Sequence, residues 1–302
     1  MKKLIKFIND NKLGDVKENV SFKALTTYKT GGNARLVVFP NSIKSLKRLF
    51  VYLKENSISF KVLGNGSNIL ASDKDYNGVI VKLNKLNKFK VLFGYLKAGA
   101  GCNLMGLSNT LCKCGYSGFE FACGIPGTMG GAIYMNAGAY LKDISDVLLY
   151  VKVLDLEDMK IKKMCNKKLE FNYRSSIFQK SDRYIILEAV YKLKKKNRDS
   201  IMNLIVERKQ RRVASQPLEF PSAGSVFRNP VDNYAGKLIE NCDLKGYSKG
   251  GAEVSVKHAN FIINKDNASS QDIKDVMDYV HDVVLEKYDV DLKREQELFN
   301  WE

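Results

Sequence analysis

Two glycine-rich segments constrain the fold of this chain more than any other feature. One is GNGSN at residues 64–68, which follows a short apolar run and places several small residues in succession. The other is GIPGTMGGAIYMNAGA at residues 124–139, which holds five glycines. Glycine lets a backbone adopt a positive φ and approach its neighbours closely. Because successive N–H groups in such turns form anion-binding concavities, each segment is either a tight structural turn or a phosphate site.

Neither segment fits a common nucleotide-binding fingerprint. The glycines at 64 and 66 are not followed by a third one at the spacing of the Rossmann pattern. The sequence AGKL at 235–238 lacks the upstream glycine and the Ser/Thr of a P-loop. Together the two segments favour a dinucleotide site of a non-Rossmann type.

The net charge of +16 favours anionic partners, either nucleic acid or a small molecule that carries phosphate. The lysines are spread along the whole chain, and no basic motif interleaved with aromatic residues occurs. With 45% hydrophobic and 27% charged residues, the composition is that of an ordinary globular protein. We therefore expect local phosphate sites and no nucleic-acid partner; a basic nucleic-acid-binding protein is the alternative.

Cysteine spacing and hydropathy indicate neither a metal centre nor a membrane span. The six cysteines lack disulfide-framework or paired zinc spacing, so we expect reduced thiols and no metal. No stretch reaches the roughly 18 apolar residues of a membrane span. Lys6 and Asp10 interrupt the apolar region that an N-terminal signal peptide would need. We expect a cytoplasmic protein, without a membrane partner, that is a monomer.

Residue periodicity predicts an α+β protein with many short strands. Residues 41–57 and 103–115 have helical spacing, whereas 88–100 read as two strands hinged near Gly94 and 146–164 as a hairpin. The strongest helix signal lies at 268–288, where Ser269 and Asp272 are spaced as a capping box. Its apolar face comprises Ile273, Val276, Met277, Val280 and Val284. The polar run KKKNRDS at 194–200 predicts a domain boundary.

A third feature is the serine turn PSAGSVFRNP at residues 221–230. Two prolines fix its ends, and Gly224 supplies conformational freedom beside Ser225. A serine held this way suggests a nucleophile, which needs a nearby base. The chain has only two histidines, His258 and His281, and neither is close to Ser225 in sequence.

These segments occur in the order and spacing of one known family, together with YRSSIF, GGAEVSVKHANFIIN and LKREQEL. From about Lys23 to Glu297 the chain closely resembles the UDP-N-acetylenolpyruvoylglucosamine reductases, flavoenzymes that make UDP-N-acetylmuramate for bacterial peptidoglycan. The resemblance implies an α+β FAD-binding region of the vanillyl-alcohol-oxidase type at 1–196, built from two lobes. An α+β substrate-binding domain with a C-terminal catalytic glutamate would follow at 197–302.

The resemblance also implies the reaction and its cofactors. Such an enzyme reduces UDP-N-acetylglucosamine enolpyruvate with hydride from non-covalent FAD, and NADPH is the reductant. No histidine precedes His258, so the FAD-binding region offers none for a covalent flavin link. The product serves cell wall biogenesis, cell shape and cell division. The alternative is another FAD oxidoreductase of the same fold that acts on a different acid or alcohol.

Matching the family motifs residue by residue assigns the cofactor site. The two glycine-rich segments and the segment TTYKTGGNA at 26–34 would contact FAD. The implied residues are Tyr28, Thr30, Gly31, Gly64, Asn65, Gly66, Ser67, Asn68, Gly124, Ile125, Gly127, Thr128, Gly130, Gly131 and Asn136. Cys123, beside the second segment, departs from the serine that is usual in the family.

The same comparison implies three catalytic residues. Arg174 would hold the substrate carboxylate, Ser225 would donate a proton to a carbanion, and Glu295 would assist as a donor or acid with a raised pKa. A serine that acts as an acid needs no histidine. The implied substrate contacts are Tyr173, Gln216, Asn229 and His258. Because Arg174 and Ser225 are only 51 residues apart in the sequence, we place the chain in the shorter subclass that lacks an extra tyrosine-bearing loop.

Overall fold

A computed structural model describes residues 1–301 of the chain. Within this range the α-helices are α1 (Lys2–Asp10), α2 (Ile43–Glu55), α3 (Leu104–Lys113), α4 (Met129–Tyr134), α5 (Arg198–Ser215), α6 (Ala235–Glu240) and α7 (Ser270–Tyr288). The strands of the first half are β1 (Gly14–Ser21), β2 (Asn33–Pro40), β3 (Phe60–Val62), β4 (Ile69–Ala71), β5 (Tyr76–Val81), β6 (Phe89–Leu92), β7 (Tyr95–Gly99), β8 (Tyr116–Ser117), β9 (Gly138–Ala139) and β10 (Lys142–Asp143). Those of the second half are β11 (Leu148–Asp155), β12 (Lys160–Cys165), β13 (Tyr184–Lys192), β14 (Lys194–Lys195), β15 (Ser248–Lys249), β16 (Ala252–Val254), β17 (Ile262–Asn264) and β18 (Glu297–Phe299). The mixture of helices and short strands confirms the α+β class.

The chain divides into two compact units, each made of three separate segments. Unit 1 comprises residues 1–18, 36–65 and 78–210, and unit 2 comprises residues 19–35, 66–77 and 211–302. The polar run at 194–200 lies inside unit 1, where it forms β14 and the start of α5. The functional boundary between residues 196 and 197 stays a prediction.

The core of unit 1 is built on a five-stranded antiparallel sheet with the order β12-β11-β13-β7-β6. Buried apolar residues of its central strands form one hydrophobic cluster with residues of helices α2 and α3. The hairpin predicted at 146–164 is β11 and β12, and the strand pair predicted at 88–100 is β6 and β7. Ser42 caps α2 by accepting the N–H of Ser45 at 3.1 Å, a common role of serine at a helix N-terminus.

A parallel strand pair positions the first glycine-rich segment. β3 and β5 are neighbours in the four-stranded sheet β1-β2-β5-β3, and Val62 is aligned with Val81. Leu63 donates its N–H to the carbonyl of Val81 at 3.0 Å. Because the pair is parallel, the residues that follow both strands emerge at the same edge of the sheet. Gly64 therefore begins its turn beside Lys82.

Unit 2 is organised around α7. The capping box predicted from sequence is present, since Ser269 and Asp272 exchange side chain to backbone hydrogen bonds of 3.0 and 2.9 Å. The predicted apolar face of α7 is buried in one cluster with residues from α6, β16 and β17. β18 pairs in parallel with β4, so the segment that carries Glu295 leads directly into a strand of this unit.

Two further sequence expectations concern cysteines and hydropathy. None of the cysteines forms a disulfide within residues 1–301, and Cys112 and Cys123 are buried against Ile201 and Ile205 of α5. Among residues 1–301, none of the helices combines the length and apolar character that crossing a bilayer requires.

Candidate active site

The two glycine-rich segments touch inside unit 1. A Cβ atom added to Gly64 would lie 2.8 Å from the Oγ1 atom of Thr128. Thr128 is the N-cap residue of α4, and its Oγ1 accepts the backbone N–H of Gly131 at 3.2 Å. Any side chain at Gly64 would therefore displace the Thr128 hydroxyl that caps the helix.

Some backbone donors of these segments are not used within the protein. Across residues 1–301, the N–H groups of Asn65, Gly127 and Thr128 have no acceptor. The neighbouring N–H groups of Met129 and Gly130 each donate to a backbone carbonyl at 2.8 Å. Since most backbone donors in folded proteins are paired, a group of unpaired ones in glycine turns is what an anion-binding concavity requires.

Gly66 continues the first segment into unit 2, where the chain packs tightly. Its φ is +64°, and an added Cβ atom would lie 2.3 Å from the carbonyl oxygen of Leu25. The carbonyl of Gly66 accepts the N–H of Thr27 at 3.1 Å. Both the conformation and the close approach require glycine.

Tyr28 and Thr30, predicted to lie near the cofactor, are completely buried in unit 2. The Tyr28 hydroxyl donates to the Oε1 atom of Gln296 at 2.9 Å, and the hydroxyls of Thr30 and Ser270 are hydrogen-bonded at 2.9 Å. Burial raises the pKa of Tyr28, so its phenol stays a donor. Gly31 has φ +107°. Contacts between these residues and FAD stay a prediction.

Asn136, another predicted cofactor residue, is buried with φ +43°. Its Nδ2 atom donates to Asp143 Oδ2 and to the Asn172 carbonyl, both at 3.0 Å. Its Oδ1 atom accepts the N–H of Ser145 at 3.1 Å. The side chain thus joins the loop after α4 to the turn that carries Arg174.

Arg174 lies in a tight turn of unit 1. Asn172 and Ser175 exchange two backbone hydrogen bonds of 3.1 Å around it, and its φ is +51°. Such a conformation costs a residue with a Cβ atom about 1 kcal/mol or more, and strain of this kind occurs often at functional sites. The guanidinium donates to the Gly138 carbonyl at 2.8 Å and lies 5.2 Å from the ring centroid of Tyr173, which is half exposed.

The serine turn belongs to unit 2, and Gly224 gives it its shape. Gly224 has φ +79°, and an added Cβ atom would meet no atom within 4 Å. Glycine is therefore required here for its conformation and not for space. Asn260 fixes the chain after Ser225: its side chain accepts the N–H of Phe227 at 2.9 Å and donates to the Phe227 carbonyl at 2.8 Å.

The segment of Glu295 is bonded directly to the serine turn. The Glu295 N–H donates to the carbonyl of Val226 at 2.8 Å, and the N–H of Arg228 donates to the carbonyl of Lys293 at 2.8 Å. On its other side, the Glu295 carbonyl accepts from the Nδ2 atom of Asn68 at 3.0 Å. The segments that carry Ser225 and Glu295, far apart in sequence, are thus hydrogen-bonded to one another within unit 2.

The predicted substrate residues of unit 2 differ in their surroundings. The Oε1 atom of Gln216 is buried and has no donor in the part of the chain that the structure describes. His258 accepts the N–H of Asn260 at its Nδ1 atom at 3.2 Å, and burial lowers the pKa of the imidazole. Asn229 is exposed, and its Oδ1 atom accepts the N–H of Ala235 at 3.1 Å. A substrate role for each stays a prediction.

Comparison with known proteins identifies the family. A family model described as "UDP-N-acetylenolpyruvoylglucosamine reductase, C-terminal domain" matches residues 216–299, and one described as "FAD binding domain" matches residues 34–164. The UDP-N-acetylenolpyruvoylglucosamine reductase of Bacillus subtilis is 39% identical over 99% of this chain and 98% of its own. The chain belongs to the UDP-N-acetylenolpyruvoylglucosamine reductase family.

Other members of the reductase family agree over nearly the full length. The enzyme of Caldanaerobacter subterraneus is 44% identical over 94% of this chain and 93% of its own. The crystal structure of the enzyme of Thermus caldophilus has a TM-score of 0.82 and 31% identity, over 95% of this chain and 99% of that one. The predicted fold, an FAD-binding domain followed by the C-terminal domain of this family, is confirmed, and the chain is an FAD-binding oxidoreductase.

The residues of unit 1 fit the cofactor that this reductase family implies. The region matched by the FAD-binding domain contains both glycine-rich segments. Flavin adenine dinucleotide carries a diphosphate, and the unpaired N–H groups of Asn65, Gly127 and Thr128 are donors of the kind that bind it. The assignment of individual residues to FAD stays a prediction.

Gln296 is a residue that sequence reasoning missed. Only 3% of it is exposed, its Oε1 atom accepts from Tyr28, and its Nε2 atom donates to the Gly224 carbonyl at 3.0 Å. It therefore connects the segment at 26–34 with the peptide that precedes Ser225. No local signal identifies it, because its partners are distant in sequence and it follows a glutamate in a polar run.

We expect Gln296→Leu to lower the free energy of unfolding by about 2 to 4 kcal/mol, because two buried polar groups lose their partners. Urea unfolding of the full chain measures this. The matched control is Gln271→Leu, an exposed glutamine of α7, for which a change within about 0.5 kcal/mol is expected. Equal destabilisation by both substitutions would contradict the importance of the Gln296 bonds.

Proposed function

We propose that this chain reduces UDP-N-acetylglucosamine enolpyruvate to UDP-N-acetylmuramate, with NADPH as the reductant and FAD bound non-covalently. The observation that carries the proposal is the direct bonding of the Glu295 segment to the serine turn, in a chain whose family is known. The bonds join the backbones of the two segments and support the assignment of an acid and a carboxyl group to one site, as addition of hydrogen across a polarised double bond requires.

The chemistry of the substrate defines what the protein must supply. FAD, when bound and reduced by NADPH, would supply the hydride. When hydride adds to C3 of the enolpyruvyl group, the electron pair of the double bond moves onto C2 and the carboxylate, and C2 then takes a proton. A fixed donor must therefore stabilise the carboxylate, and an acid must face C2.

Arg174 is the donor that we assign to the carboxylate. Its guanidinium stays charged at any relevant pH, and its planar fork matches the two carboxylate oxygens. The turn from Asn172 to Ser175 and the bond to the Gly138 carbonyl restrict where the side chain can go. Preorganised charge of this kind favours the developing negative charge without reorganisation.

Ser225 is the acid that we assign to C2, and Glu295 assists it. The Ser225 hydroxyl gives its proton to C2, which completes the lactyl ether of the product. Alcohols are weak acids, so neighbouring donors must stabilise the oxygen that remains. Glu295, whose backbone is bonded to the turn, would do so as a protonated carboxyl group that donates a hydrogen bond. Gln216, Asn229, His258 and Tyr173 would contact the rest of the substrate.

The product of this reaction is a precursor of peptidoglycan, so the proposed role includes cell wall biogenesis, cell shape and cell division. A cytoplasmic monomer that binds no nucleic acid and no membrane suits a reaction between small soluble molecules. Net charge of +16 attracts the anionic nucleotide sugar and NADPH by long-range electrostatics.

Purified protein tests the proposal directly. We expect a yellow protein with flavin absorbance. We also expect it to oxidise NADPH only when UDP-N-acetylglucosamine enolpyruvate is present, which is measured as the loss of NADPH absorbance. The control is UDP-N-acetylglucosamine, which lacks the double bond and should support no oxidation above background. A flavoprotein that ignores the enolpyruvyl substrate would instead be an FAD oxidoreductase for another acid or alcohol.

A further inference from the structure

Lys82 is a buried lysine at the edge where the first glycine-rich turn begins. It directly follows β5, only 7% of it is exposed, and its backbone N–H donates to the Val38 carbonyl at 2.9 Å. Its Nζ atom donates to the backbone carbonyl of Gly64. The parallel register of Val62 and Val81 sets this pairing.

The Lys82 ammonium has no carboxylate partner among the residues that the structure describes, 1–301. Its acceptor is one neutral carbonyl. Burial lowers the pKa of Lys82 to about 8, so the side chain still carries its charge at neutral pH. Burying a charge without a counter-charge costs free energy, and hydrophobic residues of similar size could fill the same volume. Packing alone therefore does not explain why a charged residue occupies this buried position.

Peptide geometry shows what the contact does. The peptide that joins Gly64 to Asn65 is planar and trans, so its carbonyl and its N–H point in opposite directions. Because Lys82 holds the Gly64 carbonyl on one side, the Asn65 N–H is directed to the other side. That N–H has no acceptor within residues 1–301. A cation on the carbonyl also polarises the peptide and strengthens its N–H as a donor.

We propose that Lys82 is a positioning residue for the cofactor: through the Gly64–Asn65 peptide it directs and strengthens the Asn65 N–H as a donor to the diphosphate of FAD. The inference rests on the proposed FAD contact of this turn and adds a residue that no family motif assigned. Lys82 itself lies on the opposite side of the peptide from the diphosphate, so its positive charge acts through the backbone.

Flavin affinity provides the first test. Lys82→Met keeps an unbranched side chain of similar length and removes the donor and the charge. In the deflavinated full chain, we expect the dissociation constant for FAD to rise by about 10- to 100-fold, the value of one charge-assisted hydrogen bond. The dissociation constant for riboflavin, which has no phosphate, should change less than about threefold. Both are measured by quenching of flavin fluorescence.

Lys85→Met is the matched control. Lys85 is a partly exposed lysine three residues further along, paired with Asp15 at 2.7 Å, and its loss should leave both dissociation constants unchanged. An unchanged FAD constant for Lys82→Met, or equal weakening of FAD and riboflavin binding, would overturn the proposal. Equal weakening would mean that Lys82 merely supports the local fold.

Selective isotope labelling tests the peptide itself. Gly-Asn occurs twice in the sequence, at 32–33 and 64–65, so protein with ¹³C-carbonyl glycine and ¹⁵N-asparagine gives two correlated amide signals. We expect FAD to shift the Asn65 amide proton downfield in the native chain, and this shift to be lost in Lys82→Met. The Asn33 amide, which donates to Asp75 at 2.7 Å, is the internal reference.

The outcomes separate the inference from the site on which it rests. An Asn65 signal that does not respond to FAD in the native chain would overturn the placement of FAD at this turn, and the role of Lys82 with it. An Asn65 signal that responds equally in the native chain and in Lys82→Met would overturn the role of Lys82 alone. The NMR spectra also report directly whether the variant is folded.

Discussion

Ser225→Ala is expected to slow reduction of the enolpyruvyl substrate by about 10²- to 10⁴-fold, the usual contribution of a positioned acid. Oxidation of NADPH by the FAD-loaded full chain should change by less than about twofold, because that half-reaction requires no proton at C2. Stopped-flow absorbance of the flavin separates the two half-reactions. The substitution removes one oxygen atom and leaves the backbone bonds around Val226 and Asn260 in place.

The matched control is Ser222→Ala, three residues earlier in the same turn, which should leave the rates of both half-reactions within about twofold of the native rates.

A solvent deuterium isotope effect gives a second measurement of the same step. With Ser225 the substrate half-reaction should slow in D₂O, because a proton from an exchangeable hydroxyl moves in that step. Equal losses in both half-reactions for Ser225→Ala would contradict the assignment of Ser225 as the acid.

Local sequence signals predicted the secondary structure of this chain well where one face of an element is buried. The apolar spacing of α7 and its capping box, formed by Ser269 and Asp272, appear in the structure as predicted. The hairpin of β11 and β12 follows equally from alternation and turn residues. These features depend on neighbours within a few residues, so the sequence contains all the information that they need.

The division into compact units could not be read in the same way. Each unit is assembled from three stretches of the chain, and the polar run at 194–200 lies within one of them. A change in composition marks where a segment is solvated, whereas a compact unit is defined by contacts between segments distant in sequence. The polar residues at the start of α5 indicate a solvated segment, but they do not lie at the boundary of a compact unit.

The candidate site shows the same limit. The glycine motifs, Arg174, Ser225 and Glu295 were predicted through family motifs, and the structure bonds the last two segments together. Lys82 and Gln296 were not predicted. Each is one polar residue at the end of a strand or in a charged run, and its importance comes from a buried partner that only the fold brings near. Long-range hydrogen bonds leave no periodic signal in a sequence.

The second large effect concerns Arg174. We expect Arg174→Gln to lower kcat by about 10²- to 10³-fold and to weaken binding of the enolpyruvyl substrate, because the charge that balances its carboxylate is lost. Arg174→Lys should recover only part of kcat, since a lysine keeps the charge but not the planar fork. Steady-state kinetics with NADPH in excess measures both variants. Arg48→Gln, an exposed arginine of α2 in the same unit, is the control and should match the native enzyme.

Comparison of two ligands tests whether Arg174 binds the carboxylate or the diphosphate of the substrate. UDP-N-acetylglucosamine shares the diphosphate of the substrate but lacks its carboxylate, so Arg174→Gln should leave its dissociation constant unchanged by calorimetry. If Arg174 bound the diphosphate, Arg174→Gln would weaken the binding of both ligands alike. That result would contradict the assignment of Arg174 to the carboxylate.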